Sequence, residues 1–363
     1  MILSGNEAMS PKPTDTGDTR AQTLRVRPME DADRQAWDVF VAACPEATFF
    51  HRAGWQRVVE VGLRHRTHFL LAERAGRLEG VLPLAQVRSW LFGHTLISLP
   101  CCVYGGVAAN SEEARRALTD EACRLAENLE VDALEMRNLD AREPGWPRKE
   151  LYVTFRKEIS ADSEENMKAI PRKQRAMVRK GIKAGLAARQ VDNLDAFFNI
   201  FAESVRNLGT PVFSRKYFQV LREEFGSDCE ISVISHEGED IAAVMSFYFR
   251  DQVLPYYGGS RPAARRLKGN DFMYWDLMRR AAERGVRIFD YGRSKEGAGS
   301  YSFKKNWGFE PRPLHYEYHL VKASEMPEVN PNNPKYRYFI ETWKRLPLPV
   351  ANAFGPLLAR NLG

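Results

Sequence analysis

Apolar and polar positions along the chain fall into two series that repeat in the same order. TFFHRAGWQRVVE (Thr48 to Glu60) lies over PVFSRKYFQVLRE (Pro211 to Glu223) at a constant offset of 163 residues. Phe50 meets Phe213, Arg52 meets Arg215, Trp55 meets Phe218 and Gln56 meets Gln219. Next, HFLLAERAGRLEGVLPLAQV and EISVISHEGEDIAAVMSFYF each place two apolar runs around a short glycine-bearing turn, which predicts an antiparallel hairpin in each half. LPCCVYGG (Leu99 to Gly106) and LPYYGG (Leu254 to Gly259) follow. Each leads to a helical stretch, SEEARRALTDEACRLAENL or NDFMYWDLMRRAAERG, and then to a strand, VDALEMRN or VRIFDYGR. An ordered series of like elements points to an internal duplication. The predicted class is α/β, with mixed sheets covered by helices.

The expected organisation is an arm over 1–23 rich in Pro, Thr, Asp and Gly, a first domain over 24–160, a basic helical connector over 161–195, a second domain over 196–325 and a tail over 326–363. The connector changes the electrostatic picture. Lys168, Arg172, Lys173, Arg175, Arg179, Lys180 and Lys183 crowd together with no acid between Glu165 and Asp192. On a helix starting after Pro171, Arg172, Arg175, Arg179 and Lys183 share one side, while Ile170, Met177, Val178 and Ile182 offer apolar contacts. Such a stripe calls for an anionic counterpart: a diphosphate, a tRNA backbone, or acids from the other domain. The tail NPKYRYFIETWKRLPLPVANAFGPLLARNLG is aromatic, basic and apolar, and its prolines are expected to cut it into short pieces. It is expected to clasp the first domain or to lie on a membrane surface.

Composition narrows the function classes. The net charge is +6 over 363 residues, so anionic partners follow only where charge clusters. Five cysteines without CxxC spacing predict a reducing compartment and no zinc site. MILSGNEAMS has no signal-peptide pattern, and no apolar run is long enough to span a bilayer, so the expected location is cytoplasmic. GxSxG, HExxH and GxxxxGK[ST] are absent, which removes the corresponding hydrolase, metalloprotease and nucleotide-binding readings. His315, Glu317 and His319 alternate on a final strand; a polar solvent face accounts for them better than a metal site does.

The duplicated halves, the PRKQRAMVRKG helix between them, the YYGG strand and the late DYGRS…GSYSFKKNWG element resemble the FemABX aminoacyltransferase group. The likeness is greater to the FemAB-related proteins that accompany exosortase and PEP-CTERM sorting systems in exopolysaccharide-producing bacteria. It covers roughly Leu24 to Leu320. The resemblance implies two tandem acetyltransferase-like (GNAT) domains and acyl transfer to an amine or hydroxyl of a cell-envelope or exopolysaccharide precursor. In FemABX relatives the donor is an aminoacyl-tRNA and the acceptor a nucleotide-linked cell-wall precursor. It also implies that Phe303 and Lys304 stand against the reacting acyl group.

The site candidates are these. Asp290, near the end of the strand expected over Val286 to Tyr291, can act as a general base, orient Arg293, or bind an acceptor amine. Ser300 to Trp307 is expected to run on from the glycine turn toward a final strand, with Lys304 either supporting an oxyanion or binding a donor phosphate. Tyr301 is a further substrate-binding candidate there. Tyr104, Tyr256 and Tyr257 precede Gly-Gly pairs; strand alternation puts Tyr256 and Tyr257 on opposite faces, one in the core and one on a cleft. The stretch Arg265 to Asp271 is read as a loop where GNAT enzymes place their pyrophosphate-binding turn, with Arg266 and Lys268 as cations. Asp271 departs from that pattern, since an acid there repels phosphate; Asn270 or Asp271 can instead cap the next helix. No cofactor is required, and acyl-CoA and aminoacyl-tRNA are the candidate donors. The competing reading is a non-catalytic protein that grips RNA or an anionic polysaccharide through the basic helix.

Overall fold

The computed structural model describes residues 23–89, 93–326 and 334–361; most of the expected arm over 1–23 lies outside them. Each half is a mixed sheet covered by helices. In the second half, seven strands run in the order 187–190, 229–236, 239–249, 252–260, 288–295, 152–158, 311–313. In the first half the corresponding surface is split into a four-stranded and a six-stranded sheet. The split falls at Pro83, between strands Arg77–Leu82 and Ala85–Ser89, because a proline cannot donate to the ladder. The equivalent run Glu239–Phe249 has no proline and continues unbroken, with a bulge at Met245/Ser246.

Local signals set the helices. Ser111, Asn193 and Ser214 each accept a first-turn N–H and so start helices Glu112–Asn128, Leu194–Leu208 and Arg215–Phe225. Ala114, Leu118, Ala122 and Ala126 give the first of these a buried stripe. Gly209, in the left-handed region at φ 81°, ends the second.

The halves are interlocked in two ways. Helix Arg215–Phe225 packs against its sequence counterpart, Gly54–Arg57 and the wider helical turn Val58–Leu63. Phe49 stacks on Phe247 at 4.7 Å, so one core crosses the junction. Arg57 pairs with Glu223 and Glu224, and Arg52 with Asp228, along its edge. The final strands are also exchanged. Tyr152–Glu158, from the first half, runs antiparallel to Ile288–Lys295; His315–Leu320, from the second, runs antiparallel to Ala133–Asn138. Sheet hydrogen bonds thus cross the expected boundary at 160 in both directions. The connector contributes strand Ala187–Gln190 to the second sheet, and its helix Arg172–Lys183 packs on Gly269–Glu283.

Three expectations need correction here. The tail does not clasp the first domain alone: helices Pro334–Arg345 and Leu348–Ala359 pack on Leu194–Leu208 of the second half, while His65 Nε2 of the first half meets the Arg360 carbonyl at 2.6 Å. Its prolines divide it once rather than into short pieces: Pro347 and Pro349 sit at the start of the second helix, where no N–H is needed, and Pro356 is accommodated within that helix. Glu317 is not on a solvent face. It is fully buried and accepts from Asn138 Nδ2 at 2.7 Å and from the backbone N–H groups of Arg142 and Glu143 at 3.1 Å. Among the described residues no cluster of His, Cys, Asp or Glu is placed to hold a metal.

Candidate active site

Strands Gln252–Ser260 and Ile288–Lys295 run parallel but pair at Gln252–Ile288 and Val253–Phe289, after which the register between them ends. A segment of the first half, Leu99–Gly106, fills the opening. Tyr256 donates to the Cys101 carbonyl at 2.7 Å and Tyr316 to the Val103 carbonyl at 2.9 Å. The segment is not a strand like its repeat partner: Leu99 and Cys101 take φ of 64° and 63°, which bend the chain into the gap.

Tyr256 and Tyr257 do not face opposite ways. Met245 pairs with Tyr257 and Ser246 with Pro255, so Tyr256 is the extra residue of a bulge, and both rings turn to the same apolar cluster. Tyr257 shares a hydrogen bond with the Tyr217 hydroxyl at 2.7 Å in that core.

Tyr104 reaches across to the second half. Its hydroxyl donates to Asp290 Oδ2 at 3.3 Å and shares a short hydrogen bond with Thr154. Asp290 is 1% exposed and accepts the Gly292 N–H at 2.7 Å. Arg156 Nε lies 3.3 Å from Asp290 Oδ2, a charge contact without hydrogen-bond alignment, while its Nη2 donates to Gln252 at 2.9 Å. Burial raises the Asp290 carboxyl above its ordinary range, against the opposing pull of Arg156, the Gly292 N–H, Lys304 and Tyr104. Asp290 therefore does not orient Arg293. Arg293 lies over the Tyr152 ring at 4.5 Å and donates to Tyr316 at 3.2 Å instead.

The stretch Ser300 to Trp307 is not an extended run. Gly299–Asn306 is a helix, and it resolves the lysine pair. Lys304 points inward and is buried, whereas Lys305 is exposed. Lys304 Nζ donates to the carbonyls of Tyr291, Gly292 and Arg293 at 2.8, 3.0 and 3.0 Å. All three ammonium protons are thereby used. Burial pushes this ammonium down to about 7, with Asp290 pulling the other way. Phe303 packs beside Tyr274 at 5.6 Å and Trp307 at 5.9 Å, and Tyr301 meets Phe155 edge-on.

Beside this cluster lies a cavity of about 250 Å³ between the halves, lined among others by Tyr104, Arg156, Gln252, His51 and Arg142. Asp290 does not line it; Tyr104 and Arg156 stand between. Arg156 and Thr154 escape sequence reasoning because they reach the site through the strand exchange and a register shift at Phe155/Arg156, neither of which leaves a local signal, and Gln252 joins them only through its hydrogen bond to Arg156.

The remaining candidates lie apart from Asp290. Arg172, Arg175, Arg179, Lys180 and Lys183 line an open groove of about 520 Å³, and none of them has an ion pair among the described residues. Ile182, expected to pack, is exposed, while Val178 and Ile170 are buried. The turn carrying Arg266 and Lys268 abuts this helix: a Cβ on Gly181 would lie 3.5 Å from the Lys268 carbonyl. That turn is not a loop but a break between helices Pro262–Leu267 and Gly269–Glu283, made by Lys268 at φ 63°. Neither Asn270 nor Asp271 caps the second helix. Asp271 turns inward to accept from Trp307 Nε1 at 3.0 Å, and burial raises its carboxyl.

Residues 167–305 match the family described as Acetyltransferase (GNAT) domain. Solved structures share the fold over most of the chain. FemX is 14% identical, with 87% of this chain and 100% of that chain covered and a TM-score of 0.64. A tandem GNAT protein from the clavulanic acid biosynthesis pathway is 14% identical, with coverage of 84% and 100% and a TM-score of 0.53. A C-terminal DUF2156 domain from Agrobacterium fabrum is 12% identical, with coverage of 79% and 91% and a TM-score of 0.56. No curated protein matches the sequence. The chain has a tandem GNAT fold, and part of its second half is similar to the GNAT acetyltransferase domain family. The matched region runs from the connector through the Lys304 helix.

Proposed function

We propose that the protein transfers an acyl or aminoacyl group to an amine or hydroxyl of a phosphate-bearing precursor of the cell envelope or of an exopolysaccharide. The observation that carries this reading is the position of Tyr104, a residue of the cavity lining whose hydroxyl hydrogen-bonds the buried Asp290. The acceptor nucleophile sits in the cavity and passes its proton through the Tyr104 hydroxyl to the Asp290 carboxylate as it attacks the acyl carbonyl; the donor's thioester or ester bond then breaks, and the leaving CoA thiolate or tRNA ribose oxygen takes up that proton. Burial makes that carboxylate a stronger base than an exposed one. Lys304 gives its protons to three carbonyls, so it acts by its field and by fixing the strand at Gly292. Phe303 packs the wall behind it. Attack is direct, with no covalent enzyme intermediate.

The groove along Arg172, Arg175 and Arg179 receives phosphates, from the acceptor or from the backbone of an aminoacyl-tRNA donor. The helix start at Gly269, with no side-chain cap and flanked by Arg266 and Lys268, is the counterpart site for the diphosphate of an acyl-CoA donor. Arg293, Tyr256 and Tyr301 are proposed to shape the path between them. The GSYSFKKNWG element supports placing the protein with FemAB-like transferases of exosortase systems. A cytoplasmic setting fits these donors.

Tyr104→Phe tests the proton path. It is expected to lower kcat by about 10²-fold with little change in KM, since the ring stays and the relay is lost. Unchanged kcat would remove Tyr104 from the path. Arg175→Ala with Arg179→Ala is expected to weaken binding of the phosphate-bearing ligand and to flatten its salt dependence, read by titration at two ionic strengths. An unchanged salt slope would place the ligand elsewhere.

A further inference from the structure

The last helix, Leu348–Ala359, has one face fixed and one face bare. Gly355 sits so close to Val212 that a Cβ would lie 3.0 Å from its backbone, which holds the helix down on the second half. On the other side Val350, Phe354 and Leu357 follow at four- and three-residue steps and are 37%, 57% and 52% exposed. The helix contains no charged residue. Val61 of the first half, also exposed, adjoins Leu357 around a hollow of about 240 Å³. The charged residues lining that hollow are Arg64, Lys216 and Arg360; no acid lines it. Arg64 and Arg360 have no ion pair among the described residues, and Lys216 reaches Glu223 at 3.9 Å. Nearby Glu60 is engaged by the Thr67 hydroxyl.

We propose that this face docks on an anionic lipid bilayer, with Val350, Phe354, Leu357 and Val61 entering the headgroup boundary and the cations around the hollow meeting lipid phosphates. An apolar helix face beside cations is the chemistry of an interfacial helix. A second copy of the chain is a poorer occupant: a two-fold contact sets the same patch against itself and brings like charges together. No helix among the described residues is long and apolar enough to cross a membrane, so the contact is peripheral. The inference is independent of the transfer chemistry and is tested without an activity readout.

The test is co-sedimentation of the full chain with phosphatidylglycerol vesicles and with phosphatidylcholine vesicles. The wild type is expected to pellet with the anionic vesicles and to be released by salt. Phe354→Asp with Leu357→Asp is expected to lower the bound fraction at least tenfold while leaving the melting curve unchanged, because both side chains are exposed. Arg64→Glu with Lys216→Glu is expected to abolish the preference for anionic lipid. Failure of the wild type to pellet, or equal pelleting of the Asp variant, would overturn the proposal. So would a wild-type dimer in analytical ultracentrifugation that the Asp variant turns into a monomer.

Discussion

Asp290→Asn is expected to lower acyl transfer by about 10³-fold while the protein stays folded. The amide keeps the shape: its one oxygen can still accept from the Gly292 N–H, and its NH2 takes the place of Oδ2 beside the Tyr104 hydroxyl, so the packing survives. What it loses is the capacity to take a proton. The stability effect is small and its sign follows from linkage. Burial raises the Asp290 carboxyl, so the folded chain holds this proton to higher pH than the unfolded chain does. The stabilisation this gives is full below the ordinary carboxylate range and is lost as pH rises through the raised value. At neutral pH the substitution removes a buried charge, and the unfolding free energy should stay within about 1 kcal/mol of wild type. The wild-type rate should rise with pH through the same raised value. A variant that folds normally and retains full kcat would show that Asp290 is not the base.

Lys304→Met is expected to behave in the opposite way, with the fold failing first. The substitution leaves the carbonyls of Tyr291, Gly292 and Arg293 without their donor and strips Asp290 of a neighbouring positive charge. Breaking a buried, hydrogen-bonded charge costs about 3–5 kcal/mol. Urea unfolding should show that loss, and transfer by the surviving folded fraction should also fall. Lys305→Met is the control: its side chain is exposed, and the change should stay within about 0.5 kcal/mol. If the two variants unfold alike, the three-carbonyl cradle does not hold the strand at Gly292.

The contrast between neighbouring lysines shows where sequence reading reaches its limit. The repeat was legible because each half carries like apolar runs in the same order, with the first pair at a constant offset, and the two glycine-bearing turns announce hairpins. The helix Gly299–Asn306 was not, because its aromatics at 301, 303 and 307 suit an extended run as well as a helix. Its identity comes from packing, with Phe303 and Trp307 one turn apart on the same side. The strand exchange was invisible for a more general reason. Tyr152–Glu158 and His315–Leu320 each read as a strand, but nothing local states which sheet a strand will join. Arg156 enters the site through that exchange. The Tyr256 bulge and the Lys268 break are single-residue events that override alternation and loop chemistry. Asp290, Tyr104 and Lys304 could be singled out as residue types in suggestive places. That the first two touch, across 186 positions of sequence, belongs to the fold.

On the proposed mechanism the Asp290 cluster performs acyl transfer. This is tested most directly by supplying purified wild type and Asp290→Asn with radiolabelled acetyl-CoA or with tRNA charged with labelled amino acids. An extract of sugar-nucleotide and lipid-linked precursors serves as acceptor, and label incorporated into it is counted. Incorporation from one donor class by the wild type, and its loss in the variant, are expected. No incorporation from either donor, together with tight binding of RNA or of an anionic polysaccharide, would contradict that mechanism and leave a binding protein in place of an enzyme.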